Sequence, residues 1–582
     1  LPRLPNLVLY RVRLNGDQAK QLLRHRDART VDLPPRFGLE LQALRLDIKD
    51  LPDIPPPPIN APFIAILDSG IAASHPLLNS ALADAQGFLP PDREAHDNAG
   101  HGTHVAGIAL YGDIEECYQS QIFAPRLRLL SGRILDGNAD ANTRLIENVV
   151  EEAVRYFHEQ YRCRVFNLSY GDLNKPYHGG RQRGLAYTLD RLSRELDILF
   201  IVPTGNFPDV PLDWLQHEYP AYLLKPEAQL LDPAPALNVL TVGGIARWDQ
   251  TANSIRWPHD PREQPIAQRD QPSPFSRCGA SVKGAIKPEL VAHGGNWALH
   301  QVTGEVIGRG LGELSTCKDF AEGRLLAEKS GTSFAAPHIA HIAARLLDEL
   351  PVDASMNLVR ALLVANARMP HASSELFGND EDKLAQTVGY GMVDTAGLYR
   401  STEEQVILIA ETALGNKRHH FYEIPVPESF YGGSRRSRKR EITVALAHYP
   451  PVKTTRLDYK AARLEFRLVE ADSLDECSTM FDRDTPENEY QNLKELNTSK
   501  AFYGAKKRSK GTVQASTWVI KRARQKRLFV VVTRNDFGWA EQDAEERYAL
   551  VIRLSDRENE EARLYTQINA RLQARERARV RV

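Results

Sequence analysis

The sequence predicts an α/β domain, a parallel sheet with helices on both faces, followed by an all-β, sandwich-like domain. Between residues 61 and 400, short apolar runs alternate with stretches of helical spacing, as strands covered on both faces by helices do. After residue 400 the apolar period changes from 3.6 to 2, which is typical of antiparallel strands. We expect a preceding segment with a proline-rich linker at 1–60, and a charged, helix-leaning tail at 558–582 after the β domain of 401–557.

The elements follow from local patterns. Strands of the first domain are predicted at Phe63–Leu67, Arg126–Leu130, Val165–Leu168, Ile198–Val202 and Val239–Val242, and helices at Asn142–Glu159, 333–350 and 355–366. Strands of the second domain are predicted at Gln405–Ala410, Phe421–Pro425, Glu441–Ala447, Ala462–Leu468, Trp518–Ile520, Leu528–Thr533 and Arg547–Leu554. The polar stretch 246–272 breaks the alternation, and we interpret it as a surface insertion.

Composition narrows the class of protein. The chain has 582 residues, 42% apolar and 26% charged, with a net charge of −1, as expected of a large globular protein that is neither polycation nor polyanion. Its five cysteines are odd in number and show no Cys-x-x-Cys spacing, which argues against a disulfide framework or structural zinc. With no apolar run of 18 residues and no visible signal peptide, we expect a cytoplasmic protein that binds no membrane.

One polar motif lies at the end of a predicted strand and another at a predicted helix start. Asp68 ends the apolar run Phe63–Leu67, at the strand edge where open α/β sheets place their sites, although such an aspartate also caps turns. In His101-Gly-Thr-His104, two histidines three residues apart suggest a metal site, but no third ligand sits at metalloprotease spacing. The better interpretation is a helix that begins here, with an imidazole at its N-terminus.

A third motif surrounds Ser333 in the segment Ser-Gly-Thr-Ser-Phe-Ala-Ala-Pro-His at 330–338. Glycine before the hydroxyl residues and small residues after them place Ser333 at a helix N-terminus, where free N–H groups favour an oxyanion. The alternative is an ordinary helix cap. A serine nucleophile needs a base, and the base needs a carboxylate, which Asp68 and His101 would supply.

The three motifs, in this order, closely resemble those of the subtilase family of serine peptidases. The resemblance covers about residues 60–400 and implies a subtilisin-like fold, catalysis by Asp68, His101 and Ser333, and a structural role for His104. Asn206, in Val-Pro-Thr-Gly-Asn at 202–206, matches the asparagine that donates its amide to the oxyanion. Ser169, Tyr170 and Gly171 match the strand on which the peptide substrate is bound.

The chain also departs from the family pattern. No stretch matches the calcium loops of secreted subtilisins, and we expect no metal and no cofactor. Pro203 and Thr204 replace the small alanines usual before the Gly-Asn pair, which leaves the side-chain preference open. Residues 207–237 and 246–272 are longer than the family core requires.

Basic residues concentrate in the second domain, where 401–582 carry 34 Lys and Arg against 27 Asp and Glu. They form clusters at Arg435, Arg436, Arg438, Lys439 and Arg440, at Lys506, Lys507, Arg508 and Lys510, and at Lys521, Arg522, Arg524, Lys526 and Arg527. No aromatic interleaving or nucleic-acid motif accompanies them, so we interpret them as solvated loops and do not expect nucleic-acid binding.

The sequence therefore predicts a serine endopeptidase that acts on protein or peptide substrates. The alternative is a catalytically silent or partner-gated subtilase scaffold, regulated through the basic C-terminal domain. Family members with such an added domain occur in bacteria beside AAA-type ATPases, which are one candidate for that partner. Residues 7–33 resemble faintly, in strand-then-helix character, the propeptide of secreted subtilisins, but we expect residues 1–60 to remain attached.

Overall fold

A nine-stranded sheet occupies the centre of the first domain in the computed structural model of the chain. The model describes residues 18, 22, 41–89, 93–136, 144–253, 262–398, 400–427, 430, 440–481, 495–496, 503–520, 526–541, 543–556 and 563–569. Residues 38–582 form one compact unit, and residues 1–37 form another. The strand and helix predicted within 7–33 lie outside the described residues, apart from positions 18 and 22, which are helical.

The strands of the central sheet lie in the order β15-β16-β10-β8-β6-β4-β1-β3-β2, all parallel except β15 against β16. Their bounds are β1 Phe63–Asp68, β2 Leu82–Gly87, β3 Arg128–Arg133, β4 Val165–Leu168, β6 Leu199–Pro203, β8 Leu240–Ile245, β10 Leu290–His293, β15 Ala367–Arg368 and β16 Met392–Val393. Smaller strands outside this sheet are β5 Asp172–Pro176, β7 Leu231–Asp232, β9 Glu263–Pro265, β11 Ala298–His300, β12 Val306–Ile307, β13 Glu313–Thr316 and β14 Leu326–Lys329.

Helices cover both faces of this sheet. They are α1 His101–Tyr111, α2 Ile114–Ser120, α3 Ile146–Tyr161, α4 Gly184–Leu196, α5 Leu212–His217, α6 Thr332–Leu346, α7 Met356–Ala365, α8 His371–Leu376 and α9 Glu381–Thr387. One apolar core joins the sheet to α1, α6 and α7, and a second joins its other face to α3 and α4. The predicted α/β class with helices on both faces is confirmed.

The C-terminal part is a sandwich of two antiparallel sheets, β17-β23-β19-β21 and β18-β22-β20. Its strands are β17 Gln405–Leu414, β18 His419–Glu423, β19 Arg440–His448, β20 Ala462–Ala471, β21 Val513–Ile520, β22 Arg527–Asp536 and β23 Glu546–Ser555, with short helices α10 Leu474–Thr479 and α11 Ala505–Arg508. Apolar side chains from both sheets share one core, as the period-2 pattern predicted. The helical residues 564–569 add Leu564 and Ile568 to that core.

The outer face of the four-stranded sheet is also buried, because it packs on α7 of the first domain. Arg360 of α7 is fully buried there. Its guanidinium donates to the Leu237 carbonyl of the first domain at 3.3 Å, and to the His448 carbonyl and Thr512 Oγ1 of the sandwich at 3.0 and 2.7 Å. Burial lowers the pKa of Arg360. A buried guanidinium without these acceptors would be costly, so the contact is specific.

Two interpretations of polar stretches are wrong. The described parts of 246–272 are not a surface insertion, because Trp248 and Ala267 are buried and Arg247 forms ion pairs with Asp113 and Glu313. The basic clusters are not wholly solvated loops. Arg508 is buried against Glu495, and Lys507 pairs with Asp382.

Of the other described cluster residues, Lys506, Lys526 and Arg527 are exposed, as expected of solvated positions, and Arg440 is not. Arg440 is buried at the start of β19, where its guanidinium donates to the Phe430 carbonyl at 2.6 Å. The cluster residues at 435–439 and 521–525 lie outside the described residues.

Among the described residues, no helix is long and apolar enough to cross a bilayer.

The N-terminal segment is described continuously from residue 41 onward. Ala43 and Leu46 pack into an apolar cluster with Leu77, Phe123 and Trp248. Residues 41–46 therefore share a core with the α/β domain.

Candidate active site

The candidate site lies at the carboxyl edge of the central sheet, where the strand order changes direction. β3 and β2 lie on one side of β1, and β4, β6 and β8 on the other. Such a switch opens a crevice beyond the strand ends. Leu67 of β1 pairs with Leu168 of β4, so Asp68, the last residue of β1, and Ser169, the first residue after β4, lie side by side at this edge.

His101 is the first residue of α1, and its ring is held by Asp68. Nδ1 of His101 lies 2.8 Å from Oδ1 of Asp68, which is itself buried. A carboxylate accepts only, so Nδ1 carries the proton and Nε2 is left as the basic nitrogen. The His101 side chain stays 32% exposed, so part of the ring is open to solvent.

Opposing effects set the pKa of His101. Burial lowers it, but the charge of Asp68 and its hydrogen bond raise it more, so the net pKa lies above the usual 6.5. The ammonium of Lys329 opposes this rise. Lys329 is held in place by a 2.7 Å hydrogen bond to the carbonyl of Gly100, immediately before His101.

Asp97, a residue that sequence reasoning missed, fixes the start of α1. Its carboxylate accepts from the backbone N–H groups of Ala99, Gly100 and Thr103 at 3.0, 2.7 and 2.8 Å. It also accepts from the hydroxyls of Ser69 and Thr103 at 2.8 and 2.6 Å. Because Ser69 follows Asp68, the Asp97 carboxylate joins the strand that carries Asp68 to the helix that carries His101. The signal was an aspartate four residues before the histidine.

His104 lies one helical turn beyond His101 and is buried. Its Nε2 lies 3.2 Å from the Glu313 carbonyl, and its ring meets Phe334 edge-on at 4.7 Å. Burial, with the charges of Lys329 and His101, holds the pKa of His104 well below its usual value. A buried neutral ring bonded to a backbone carbonyl fits a packing role.

Ser333 is the second residue of α6. Phe334, which follows it, lies with its ring 5.4 Å from the His101 ring, so the structure brings Ser333 to the same crevice as the imidazole. Pro337 lacks the N–H that would bond the Ser333 carbonyl inside the helix. The Ser169 hydroxyl donates to that carbonyl instead, at 2.9 Å. The first turn of α6 is thereby tied to the end of β4.

The Asn206 side chain is also oriented by α6. Its Oδ1 accepts from the backbone N–H and the hydroxyl of Thr332, at 2.8 and 3.0 Å. With the carbonyl end of the amide engaged, Nδ2 is the end left to donate. A β-carbon on Gly331 would lie only 3.1 Å from this Nδ2, so the helix start and the amide are in close contact.

Arg277, a second residue not found from the sequence, holds the loop that carries Asn206. It is 6% exposed and donates to the backbone carbonyls of Asn206, Glu227 and Gln229, at 2.8, 2.9 and 2.9 Å. Burial lowers its pKa. No local sequence pattern marks it, because its partners lie up to 71 residues away.

Ser169, Tyr170 and Gly171 lie where β4 ends, beside the end of β6. The Ser169 hydroxyl contacts the first turn of α6, the β-carbon position of Gly171 lies 3.6 Å from the α-carbon of Gly205, and Tyr170 is half-buried. Burial, with the charges of Asp172 and Asp232, raises the pKa of Tyr170 to about 12. The structure thus brings Asp68, His101, Ser169 and Asn206 together with the first turn of α6, which carries Ser333. Among the described residues, no group of three or more His, Cys, Asp or Glu side chains is arranged to hold a metal ion.

Comparison with known proteins gives the family. Residues 60–391 match the family model described as the subtilase family. An uncharacterized protein, y4bN, of Sinorhizobium fredii is 33% identical over 442 residues, or 73% of this chain and 99% of that protein. A thermophilic serine proteinase of Bacillus sp. strain AK1 is 24% identical over 49% of this chain, which spans about half (52%) of the proteinase.

A solved structure is also similar. A cold adapted subtilisin-like serine proteinase matches with 20% identity over 61% of this chain and 100% of that one, at a TM-score of 0.36. The family match covers more than half of the 582 residues. The chain belongs to the subtilase family, a family of serine peptidases.

Replacement of Asp97 by Ala should destabilise the start of α1, because three backbone N–H groups, two of them on buried residues, and two hydroxyls lose their acceptor. Hydrogen bonds to a charged group contribute about 1.5–3 kcal/mol each, and we expect the free energy of unfolding in urea to fall by ~3 kcal/mol. Asp53→Ala, at an exposed position, should leave it within ~0.5 kcal/mol of the parent. Equal stability of the two variants would show that Asp97 does not hold the helix start.

Proposed function

We propose that this chain is a serine endopeptidase that hydrolyses peptide bonds through an acyl-enzyme on Ser333. The observation that carries the proposal is the 2.8 Å contact between His101 Nδ1 and Asp68 Oδ1. Ser333 lies in the first turn of α6, at the same crevice. A binding scaffold would not require an imidazole with one nitrogen fixed by a carboxylate and part of its ring open to solvent. Membership of a family of serine peptidases supports the same assignment.

In the proposed reaction, Ser333 Oγ attacks the peptide carbonyl carbon while His101 Nε2 takes its proton. Asp68 holds the tautomer and stabilises the imidazolium. The C–N bond then breaks as His101 returns the proton to the leaving amine. Water, deprotonated by His101, hydrolyses the ester, which releases the carboxyl product and restores Ser333.

The negative oxygen formed in each addition needs donors already in place. Asn206 Nδ2 is suited to this, because Thr332 fixes the other end of its amide and Arg277 fixes its backbone. The backbone N–H of Ser333, in the first turn of α6, is the second donor. The acyl part of the substrate would add as a strand beside Ser169–Gly171.

Regulation and location stay predictions. The silent or gated scaffold is not favoured, given the arrangement of Asp68, His101 and Asn206. The sequence leads us to expect a regulatory protein partner on the C-terminal domain, for which an AAA-type ATPase is one candidate. It also leads us to expect a cytoplasmic location.

Ser333→Ala should abolish both hydrolysis of an unfolded protein and labelling by a fluorophosphonate, because the attacking oxygen is removed. Ser330→Ala is a matched control, since its hydroxyl lies three residues earlier and makes only a long 3.4 Å contact to the Asn296 carbonyl. It should label at the parental rate. Peptide mapping of the labelled protein identifies the modified residue, and modification elsewhere than Ser333 would refute the proposal.

Asn206→Ala should lower kcat with little change in KM, because the amide contacts the transition state and not the bound substrate. Loss of the corresponding donor in subtilisin costs about 10²–10³ in kcat, and we expect a similar factor. Asn79→Ala, at an exposed position, controls for the substitution itself. A rise in KM at constant kcat would assign Asn206 to substrate binding instead.

The pH profile should report the pKa of His101, which acts only when neutral. Since Asp68 raises that pKa, kcat/KM should fall about tenfold per pH unit below a midpoint above 6.5. Lys329→Met removes a charge that lowers the pKa, so the midpoint should move to higher pH. Lys318→Met is the control and should not move it. A rate that stays flat down to pH 4 would indicate a carboxylate base.

A further inference from the structure

Leu231 lies in the crevice between the ends of β4 and β6. It belongs to β7, which pairs with β5, the strand that follows Gly171. Its backbone N–H donates to the Thr204 carbonyl at 3.2 Å. Leu231 is therefore fixed to both segments of chain that border the crevice, and its side chain is only 1% exposed.

Two glycines show how closely the Leu231 side chain fills this space. A β-carbon on Gly205 would lie 2.6 Å from Cδ1 of Leu231, and one on Gly171 would lie 3.2 Å from the same atom. Gly205 also has a φ of +94°, in the region that favours glycine. The isobutyl group thus touches both walls of the crevice where those walls have no side chains of their own.

The crevice is where a substrate side chain would enter, if the proposed function holds. The attacked carbonyl must lie at Ser333 with its oxygen at Asn206, while the preceding backbone runs beside Ser169–Gly171. The α-carbon of the residue that supplies this carbonyl then faces the gap between 169–171 and 204–206. Its side chain would enter between these two segments and meet Leu231, whose Cδ1 is the atom nearest to the β-carbon positions of both Gly171 and Gly205.

We propose that Leu231 closes the floor of this pocket and restricts the residue before the scissile bond to small side chains, namely Gly, Ala or Ser. This inference rests on the proposed function and names its substrate class. A close-packed site does not accept added methylenes without displacing its neighbours. Leu231 cannot retreat easily, because it is fully buried and its backbone is held by Thr204.

Acidic residues near Leu231 suggest a competing specificity for Lys or Arg. Asp232 follows Leu231, and a β-carbon on Gly184 would lie 3.0 Å from Oε1 of Glu147 and 3.7 Å from Oδ2 of Asp232. Asp232 is engaged by the Ala186 N–H at 3.2 Å, on the side of α4. A basic side chain in the crevice would have to pass Leu231 to reach either carboxylate. The observations therefore favour a small residue.

The test compares rates at which peptidyl phosphonates modify Ser333 in the full chain. The probes carry Ala, Phe or Lys at the residue before the phosphorus, and a simple fluorophosphonate without a side chain serves as reference. A pocket one methylene too small discriminates by about 10–200-fold. In the parent we expect the Ala probe to react at least ~10-fold faster than the Phe and Lys probes.

The variants Leu231→Ala and Leu231→Gly should raise the Phe rate relative to the Ala rate by ~10-fold or more. Leu231→Val, a smaller change, should give an intermediate shift. Leu230→Ala is the matched control, because Leu230 is the neighbouring leucine and is buried too, whereas the atoms nearest to the β-carbon positions of Gly171 and Gly205 belong to Leu231. It should keep the parental order of rates.

The outcomes separate the two proposals. No labelling of the parent by the simple fluorophosphonate would overturn the proposed function and this inference with it. Labelling by that probe with Phe or Lys rates equal to or above the Ala rate in the parent would overturn the inference alone. So would an unchanged order of rates in a Leu231 variant that the simple probe labels at the parental rate.

Discussion

The parallel pairing of β4 between β1 and β6 is the constraint on which the site depends. Leu67 pairs with Leu168 and Asn167 with Ile201, so the three strands end at nearly the same level. Each of the segments that follow supplies a different group, a carboxylate, a substrate-binding strand and an amide. A slip of one residue in either pair would turn the side chains of a strand to the opposite face. The buried apolar faces of the sheet prevent such a slip.

Hydrogen bonds from outside the strands then fix each polar group. Asp97 ties the start of α1 to the residue after Asp68, and Thr332 ties the start of α6 to Asn206. Because Pro337 has no N–H to donate to the Ser333 carbonyl, that carbonyl accepts a hydrogen bond from the Ser169 hydroxyl. These contacts join the two helices that carry His101 and Ser333 to the sheet edge. The site is therefore preorganised by buried polar contacts.

The C-terminal sandwich is part of the same compact unit as the catalytic domain. Its core follows from the alternation of apolar residues, as predicted, but one of its outer faces is buried against α7. Alternation identifies which side chains share a face and does not say what covers that face. The small residues Ala445, Ala447, Ala515 and Ala549 on β19, β21 and β23 admit the helix closely. Whether the sandwich regulates access to the crevice stays a prediction.

The sequence by itself determined the family, the α/β class followed by antiparallel sheets, and the candidate residues Asp68, His101 and Ser333. This was feasible because Asp68, His101 and Ser333 each lie in a short motif at a strand end or helix start, where local pattern decides the conformation. Tertiary structure alone decided which distant groups complete the site. Arg277 reaches Asn206 across 71 residues, and Leu231 reaches Gly171 from a strand 60 residues away. Burial of Arg247 and Trp248 was missed for the same reason: the carboxylates that pair with Arg247 are brought near only by the fold.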